Sequence, residues 1–384
     1  MNIWGITGTN GKTTTTWVLA ELLRAAGRRC GYITTVEVFD GKDRYYTGYT
    51  TPPLARLKEI YAAMAANGCT DCVMEVSSHA LAENRIAGIE FDTAIFTNLT
   101  QDHLDYHKTM ENYRDAKAKL FEIVSRAGTK TNKTAIINLD DAAGEIMLEH
   151  TTCNKITYGI EKNCDLRAVD VDVKASGTTF SVGDMKLNLH VTGIFNVYNV
   201  LAAIGATLAE KISPDIIKSA LENFKSVHGR FEKIFADIPF TIIVDYAHTP
   251  DGVKNVLETA RQIVKNRIIT VFGCGGDRDN TKRPIMGRIA AELSDIVIAT
   301  SDNPRTEDPE KILSEVVAGV KEKIGDKPFE SIVDRRQAIF RAVEIARAGD
   351  IILILGKGHE NYQILKNETI HFDDREVALE AINN

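Results

Sequence analysis

The sequence predicts an α/β fold with two domains, each built on a mostly parallel sheet. Short runs rich in β-branched residues alternate with amphipathic stretches, which is typical of parallel strands covered by helices. Residues 166–191 instead alternate apolar and polar side chains around glycine turns, which predicts a small antiparallel sheet. The 384 residues, 44% hydrophobic and 26% charged, suffice for two or three domains of roughly 150 residues. The motifs described below place two domains at residues 1–227 and 228–384.

The first domain contains the predicted elements that lie before residue 225. Its buried strands are predicted at residues 3–7, 72–76, 93–97 and 134–138. The helices between them are predicted at residues 13–26, 54–67, 110–125 and 141–149. After the antiparallel segment, two further helices close the domain, at residues 196–210 and 214–223.

The second domain begins near Phe231 and repeats the alternation of strands and helices. Its strands are predicted at residues 241–245, 268–272, 295–300 and 351–355, and its helices at residues 250–264 and 284–293. The junction at residues 225–230 holds one glycine and no long flexible linker. We therefore expect the two domains to border a common cleft.

Composition excludes several classes of function. A net charge of -7 and a pI of about 5.8 argue against a general binder of nucleic acid or of anionic membranes. The apolar runs are far shorter than the roughly 20 residues of a membrane helix, and no secretory signal is recognisable after Met1. Six cysteines without an export signal indicate reduced thiols and a cytoplasmic protein. Cys69 and Cys72 form one CxxC pair, which we interpret as ordinary thiols beside a buried strand.

A glycine-rich segment joins the first strand to the first helix. It consists of Gly8, Thr9, Asn10, Gly11, Lys12, Thr13 and Thr14. Backbone N–H groups of such a loop surround phosphate oxygens, its lysine neutralises the terminal phosphates, and its first hydroxyl binds Mg²⁺. The segment departs from the common pattern at Ile6, where most such loops have a glycine. It predicts nucleotide binding without distinguishing a kinase, a GTPase, a motor or a ligase.

Four further motifs distinguish these classes. They are MEVSSHAL at residues 74–81, TNLTQDHLDYH at 97–107, YRDAK at 113–117 and DYAHTP at 245–250. Together with the phosphate loop they resemble the Mur ligases, the ATP-dependent amino-acid ligases of peptidoglycan synthesis. The resemblance covers nearly the whole chain from about Gly5. It implies a P-loop ATPase central domain followed by a Rossmann-like α/β C-terminal domain, and it implies a monomer that binds neither nucleic acid nor membranes.

The resemblance assigns a magnesium site to Thr13, Glu75, His103 and Lys117. In the family the lysine matching Lys117 is carbamylated by CO₂, which turns a cation into a carboxylate-like ligand. A Mg²⁺ ion at this site would assist phosphoryl transfer, because that reaction depends on positioning the phosphates and neutralising their charge. The residues alone leave other possibilities open. His103 and His107 have the spacing of a helical zinc pair, although Leu104 replaces the glutamate that a zincin needs, and Lys117 considered by itself is a solvated lysine.

The resemblance also assigns the remaining contacts of the nucleotide. The counterparts of Asn196 and Asn199 lie near the adenine, and that of Asp245 contacts the ribose. The counterpart of Arg230 reaches the ATP phosphates when the domains close, which places Arg230 with Lys12, Lys117 and His103 among the catalytic residues. The ordinary alternatives are helix caps for the asparagines and a surface ion pair for Arg230.

A pocket for the incoming amino acid is implied at the end of the strand at residues 295–300. Asp302, Asn303 and Arg305 follow this strand, and an arginine at this position resembles the mark of family members that take meso-diaminopimelate. A guanidinium can bind the second carboxylate of diaminopimelate through two parallel hydrogen bonds. Three further positions match the pocket: Arg278, Gly356 and Glu360.

The acceptor is the least determined substrate. Positions that touch a muramoyl-dipeptide acceptor in the family match Thr50, Thr51, Ser77 and Arg85. Family members of this type carry an additional N-terminal domain that binds uridine diphosphate, and we expect none before Gly8. Three hypotheses follow: a ligase for a muramoyl-dipeptide-like acceptor, a related ligase for a free peptide or a polyglutamate, and a nucleotide-binding partner protein without catalysis.

Overall fold

The computed structural model describes residues 1–174, 176–234 and 236–384. The chain forms two compact units. The first consists of residues 1–100 and 107–225, and the second of residues 101–106 and 226–384. Residues 101–106 lie within the predicted first domain and belong to the second unit of the structure. The domain boundaries 1–227 and 228–384 remain a prediction.

The strands of the first unit lie at Asn2–Thr7 (β1), Cys30–Ile33 (β2), Val38–Phe39 (β3), Arg44–Tyr45 (β4), Asp71–Glu75 (β5), Thr93–Phe96 (β6), Thr134–Asn138 (β7), Asn154–Gly159 (β8), Leu166–Lys174 (β9), Gly177–Val182 (β10) and Met185–Leu189 (β11). The helices up to residue 223 are Lys12–Ala25 (α1), Leu54–Ala66 (α2), Ser78–Ala82 (α3), Leu104–His107 (α4), Met110–Ser125 (α5), Ala143–Glu149 (α6), Ile194–Ala209 (α7) and Pro214–Asn223 (α8).

These strands form one sheet in the order β11-β10-β9-β8-β7-β6-β1-β5-β2-β3-β4. Neighbouring strands from β9 to β2 are parallel, and the pairs at both edges are antiparallel. The predicted antiparallel sheet therefore extends the parallel sheet, because β9 pairs with β8 through Leu166 and Tyr158. Strand β1 lies between β5 and β6, so the ends of these three strands are adjacent.

Both faces of this sheet are covered by helices. Trp4 and Ile6 of β1 belong to an apolar core with α1, α7 and α8 on one face. Met74 of β5 belongs to a second core with α2 and α5 on the opposite face. Burial on both faces explains why the central strands are apolar without strict alternation.

The second unit contains the strands Glu232–Ile234 (β12), Thr241–Asp245 (β13), Ile268–Phe272 (β14), Ile296–Ala299 (β15), Phe329–Ser331 (β16), Ile351–Leu355 (β17), Tyr362–Ile364 (β18) and Thr369–His371 (β19). Its helices are Pro250–Ile263 (α9), Lys282–Leu293 (α10), Pro309–Lys323 (α11), Arg335–Ile345 (α12) and Asp374–Asn383 (α13). The main sheet has the order β12-β13-β17-β14-β15-β16 and is parallel except for β12. Strands β18 and β19 form a separate hairpin.

The predicted α/β class with its mostly parallel sheets is confirmed. The predictions for the strands at residues 134–138, 241–245, 268–272 and 351–355 agree with the structure to the residue. The missed elements include two-residue strands at the sheet edge and the helices α11, α12 and α13, whose charged outer faces conceal a narrow apolar stripe. No described helix is both long and apolar enough to cross a membrane.

Candidate active site

The phosphate loop is packed so closely that two of its positions require glycine. Gly8 and Gly11 have φ angles of 151° and 85°. A Cβ atom on Gly8 would lie 1.8 Å from Thr97 Oγ1, and one on Gly11 would lie 2.2 Å from Asn199 Oδ1. The glycines therefore supply an unusual backbone conformation and also the space for neighbouring polar side chains.

The segment that follows β6 fastens this loop. The Thr9 N–H donates to Asn98 O at 2.8 Å, and the Asn10 N–H donates to Asn98 Oδ1 at 2.9 Å. Thr97 Oγ1 donates to Asn10 O at 2.7 Å, and the Thr100 N–H donates to Thr9 Oγ1 at 3.0 Å. Thr97 and Asn98 were not predicted as functional residues, although both stand in the TNLTQDHLDYH motif.

Two lysine ammonium groups converge on this loop. Lys12 Nζ donates to Gly8 O at 2.9 Å and to Thr9 O at 2.8 Å, and Lys117 Nζ donates to Gly8 O at 2.8 Å. Lys117 is only 1% exposed and its Nζ lies 4.2 Å from the centre of the Tyr113 ring. The alternative of a solvated Lys117 therefore does not hold, because this side chain points from α5 into the interior of the first unit.

Glu75 provides a buried carboxylate beside the loop. It ends β5, is 1% exposed and accepts a hydrogen bond from Thr13 Oγ1 at 2.8 Å. Thr35 donates twice to the same carboxylate, from its N–H at 2.9 Å and from its Oγ1 at 3.1 Å. A carboxylate and a hydroxyl at this distance are the hard oxygen ligands that Mg²⁺ prefers, so the residues present fit the ion. Thr35 was missed because no spacing pattern in the sequence relates it to Glu75.

The four predicted acceptor residues lie around Glu75 as well. Thr51 Oγ1 donates to Glu75 O at 2.9 Å and accepts from the Ser77 N–H at 2.9 Å. Thr50 Oγ1 lies 3.0 Å from Thr35 Oγ1, and Arg85 Nη1 donates to Thr51 O at 3.1 Å. The structure thus brings the predicted acceptor residues to the end of the strand that also carries the predicted metal ligand.

Asn196 and Asn199 are buried at the start of α7. Asn199 Oδ1 accepts from Thr15 Oγ1 at 3.4 Å, and its Nδ2 donates to Asn196 Oδ1 at 3.3 Å. Asn196 Nδ2 donates to Thr192 O at 2.9 Å. The two amides therefore connect α7 to α1, directly beside Gly11. Thr14 is also buried in the first turn of α1.

The two histidines of the possible zinc pair have separate surroundings. His107 lies in the first unit and its Nε2 is 2.9 Å from Ser78 Oγ. His103 lies in the second unit with a φ of 56°, and its Nε2 is 3.3 Å from Asp102 Oδ2. In the same unit Lys282 Nζ lies 3.5 Å from Asp102 Oδ1. Across the described residues, no group of three or more His, Cys, Asp and Glu side chains is placed to hold a metal ion.

The CxxC pair has the surroundings of structural thiols. Cys72 is fully buried in β5, and burial raises its pKa well above the usual value for a thiol. Cys69 Sγ lies 3.6 Å from Asp40 O. These contacts agree with the interpretation of both residues as ordinary thiols.

Arg230 and Asp245 are neighbours in the second unit. The Arg230 guanidinium stacks on Tyr246 at 4.4 Å from the ring centre. Asp245 accepts from the Phe231 N–H at 2.5 Å and from the Ala247 N–H at 2.7 Å. Burial raises the pKa of Asp245, and the positive charge of Arg230 partly offsets this rise. Both carboxylate oxygens of Asp245 thus hold the backbone at the end of β13.

The predicted amino-acid pocket lies at the carboxyl ends of β15 and β17. Asn303 Nδ2 donates to Glu360 Oε2 at 2.7 Å, and a Cβ atom on Gly356 would lie 2.4 Å from Asp302 Oδ2. Burial, and then the neighbouring Asp302 carboxylate, raise the pKa of Glu360. Lys357, which is fully buried and was not predicted, lies 3.2 Å from Glu360 Oε2 through its Nζ.

The two predicted arginines of this pocket differ in exposure. Arg305 has a φ of 53°, its N–H donates to Ile364 O at 3.1 Å, and its Nη1 donates to Gly276 O at 2.9 Å. Arg278 is exposed and donates to Asp277 O at 2.8 Å. Arg305 is therefore fixed in place by the backbone around it, whereas Arg278 lies at the surface.

The packing at Gly11 leads to a prediction on stability. Gly11→Ala should lower the free energy of unfolding by about 3 kcal/mol, because the new methyl group meets Asn199 in addition to the strain of a left-handed backbone. Gly27→Ala is the matched control, since Gly27 has a φ of 79° and no atom within 4 Å of an added Cβ. It should cost about 1 kcal/mol. Chemical denaturation measures both values, and equal losses would contradict the packing argument.

Comparison with known proteins agrees with these motifs. A family model described as "Mur ligase middle domain" matches residues 6–207, and one described as "Mur ligase, glutamate ligase domain" matches residues 229–358. The UDP-N-acetylmuramoyl-L-alanyl-D-glutamate--2,6-diaminopimelate ligase of Clostridium botulinum is 47% identical over 388 residues, which cover 100% of this chain and 78% of that protein. The protein of the same name from Syntrophomonas wolfei subsp. wolfei is 45% identical over 386 residues, with the same coverage.

Solved structures extend the comparison. A structure of a UDP-N-acetylmuramoyl-L-alanyl-D-glutamate--2,6-diaminopimelate ligase is 36% identical, with a TM-score of 0.68, and the match covers 100% of this chain and 78% of that one. Folylpolyglutamate synthase of Mycobacterium tuberculosis is 19% identical with a TM-score of 0.73, covering 93% and 89% of the two chains, which shows a shared fold alone. From the two matching domain models and these identities, the chain belongs to the Mur ligase family.

Proposed function

We propose that this ATP-dependent ligase joins meso-diaminopimelate to the D-glutamyl γ-carboxylate of a muramoyl-dipeptide acceptor. The observation that supports this most is the grouping around Glu75. The carboxylate lies 2.8 Å from the phosphate-loop hydroxyl of Thr13, while the backbone of its own strand end binds Thr51. Residues predicted for ATP, metal and acceptor thus meet at one strand end. The relatives named above, which are 45% and 47% identical, bear the name of this reaction.

The first step forms an acyl phosphate. An oxygen of the acceptor γ-carboxylate attacks the γ-phosphorus of ATP, the bond to the β-phosphate oxygen breaks, and ADP leaves. Lys12 and the N–H groups of residues 8–14 bind the phosphates, and Asn196 and Asn199 lie on the adenine side. Thr50, Thr51, Ser77 and Arg85 orient the acceptor.

Thr13, Glu75 and His103, together with Lys117 as a carbamate, would hold Mg²⁺, which spreads the negative charge of the phosphates when it is bound. In the second unit, Arg230 binds the phosphates of ATP and Asp245 binds its ribose. Lys117 suits carbamylation because its side chain is buried against the loop. Carbamylation joins the amine nitrogen to the carbon of CO₂ and releases a proton.

The second step forms the amide bond. The amine of diaminopimelate attacks the acyl carbon, phosphate leaves with its electron pair, and the nitrogen loses a proton. Arg305 and Arg278 bind carboxylates of the amino acid. The Glu360 carboxylate accepts a hydrogen bond from an ammonium group of the amino acid. Asp302, Asn303 and Gly356 form the wall beside them. We further propose that the protein acts as a monomer in the cytoplasm.

Release of ADP and phosphate tests the proposal. The assay contains ATP, Mg²⁺ and diaminopimelate with either UDP-N-acetylmuramoyl-L-Ala-D-Glu or the same dipeptide without the nucleotide sugar. Turnover that requires the sugar nucleotide supports the function as stated. Turnover with the free dipeptide shows a related ligase for another acceptor, and the absence of turnover with either acceptor favours a nucleotide-binding partner protein.

The carbamate is tested through Lys117. Lys117→Ala should lower kcat roughly a thousandfold, because it removes one group that stabilises the transition-state charge. Wild-type protein in ¹³C-labelled bicarbonate should show a carbamate carbonyl signal by NMR that the variant lacks. Lys119→Ala, at an exposed position on the same helix, is the matched control and should keep full activity. Full activity of Lys117→Ala would refute the role.

Arg305 is expected to select the amino acid. Arg305→Ala should raise the KM for meso-diaminopimelate by about a hundredfold, because two charge-assisted hydrogen bonds to a carboxylate contribute about 3 kcal/mol. The KM for ATP should stay unchanged. Arg336→Ala, which removes an exposed arginine paired with Glu380, is the control. An amino-acid panel with unchanged preference for diaminopimelate in Arg305→Ala would show that selection lies elsewhere.

A further inference from the structure

A fully buried ion pair lies behind the predicted amino-acid pocket. Arg335 begins α12 and Asp374 begins α13. Neither side chain has any exposed surface. Arg335 Nε donates to Asp374 Oδ1 at 2.7 Å, and Arg335 Nη2 donates to Asp374 Oδ2 at 2.7 Å. This bidentate geometry fixes the plane of the guanidinium.

The guanidinium has further N–H groups, which reach the two strands that carry the pocket. Nη2 donates to Leu355 O at 3.0 Å, and Nη1 donates to Ser301 O at 3.4 Å. Leu355 ends β17 directly before Gly356, and Ser301 stands directly before Asp302. One side chain therefore connects the backbone positions immediately before two pocket residues.

The pocket tolerates little movement at this point. Asp302 Oδ2 would lie 2.4 Å from a Cβ atom on Gly356, so the two strand ends are already in contact. Asn303, the next residue along the chain, holds Glu360 by the hydrogen bond described above. A shift of either strand end would alter the spacing between these groups and the amino acid that they are proposed to bind.

The Arg335 guanidinium also interacts electrostatically with the pocket. Burial alone lowers the pKa of Arg335, but Asp374 raises it, and so do the carboxylates of Asp302 and Glu360 at longer range. The positive charge of Arg335 thus lies within electrostatic reach of both pocket carboxylates.

Stability alone does not account for such a pair, because an ion pair in the interior is often no better than a pair of apolar side chains. The same unit contains another arginine–aspartate pair, which lies at the opposite end of β17. Arg267 Nη2 lies 2.6 Å from Asp350 Oδ2, and these residues stand directly before β14 and β17. That pair fastens the sheet without contacting the pocket.

We propose that Arg335, held by Asp374, is a positioning residue that sets the spacing of Asp302 and Gly356 and thereby the affinity for the amino-acid substrate. This inference rests on the proposed function of the pocket. The buried pair of Arg335 on α12 and Asp374 on α13 thus affects the affinity for the amino acid and leaves the affinity for the nucleotide unchanged.

The test compares Arg335→Lys with Arg267→Lys in the full chain. Lysine keeps the positive charge beside the aspartate in both variants but cannot donate to the carboxylate and to two carbonyls in the same geometry. Arg335→Lys should raise the KM for diaminopimelate at least tenfold with the KM for ATP unchanged within twofold. Arg267→Lys should lower Tm while both KM values stay within twofold of the wild type.

Asp374→Asn provides a second variant in case Arg335→Lys does not fold, and it should show the same selective rise in KM. Equal KM values in the Arg335, Asp374 and Arg267 variants, or a parallel rise for ATP and amino acid, would overturn the proposal. Wild-type protein that turns over no amino acid would instead refute the proposed function, so the two failures are distinguishable.

Discussion

The arrangement of the first unit depends on the close approach of a backbone to its neighbours at Gly8 and Gly11. Side chains of Thr97 and Asn199 occupy the space that a Cβ atom would need at these positions. Because β1 lies between β5 and β6, the loop after β1 is flanked by Glu75 at the end of one neighbour and by Thr97 just after the other. Glycine permits the contact, and the parallel order of strands decides which side chains share it.

The second unit combines a close approach at a glycine with buried charge. The ends of β15 and β17 meet at Asp302 and Gly356, and the residues behind them are buried and ionic. Charges taken out of water must be paired and hydrogen-bonded, which restricts them to few geometries. Buried Lys357 beside Glu360, and Arg335 beside Asp374, therefore hold the backbone that follows β15 and β17.

Much of this could be predicted from local sequence. Apolar runs bounded by turn residues gave the central strands, and the glycine and lysine pattern gave the phosphate loop together with Thr13. The burial of Lys117 could not be predicted, since α5 also carries exposed Lys119 and only tertiary packing decides which of the two points inward. Thr35, Arg335 and Asp374 were missed for a related reason. Their partners are 40, 20 and 39 residues away along the chain, and no periodic pattern encodes such contacts.

In the proposed reaction the acceptor carboxylate is activated by phosphorylation at the phosphate loop before the amine attacks. The most direct measurement follows oxygen from an acceptor whose γ-carboxylate is labelled with ¹⁸O. An acyl phosphate transfers one carboxylate oxygen to the phosphate that leaves, so each turnover should release inorganic phosphate with one ¹⁸O atom. Product formation with unlabelled phosphate would contradict the account, because the acceptor oxygen would then never have been bonded to phosphorus.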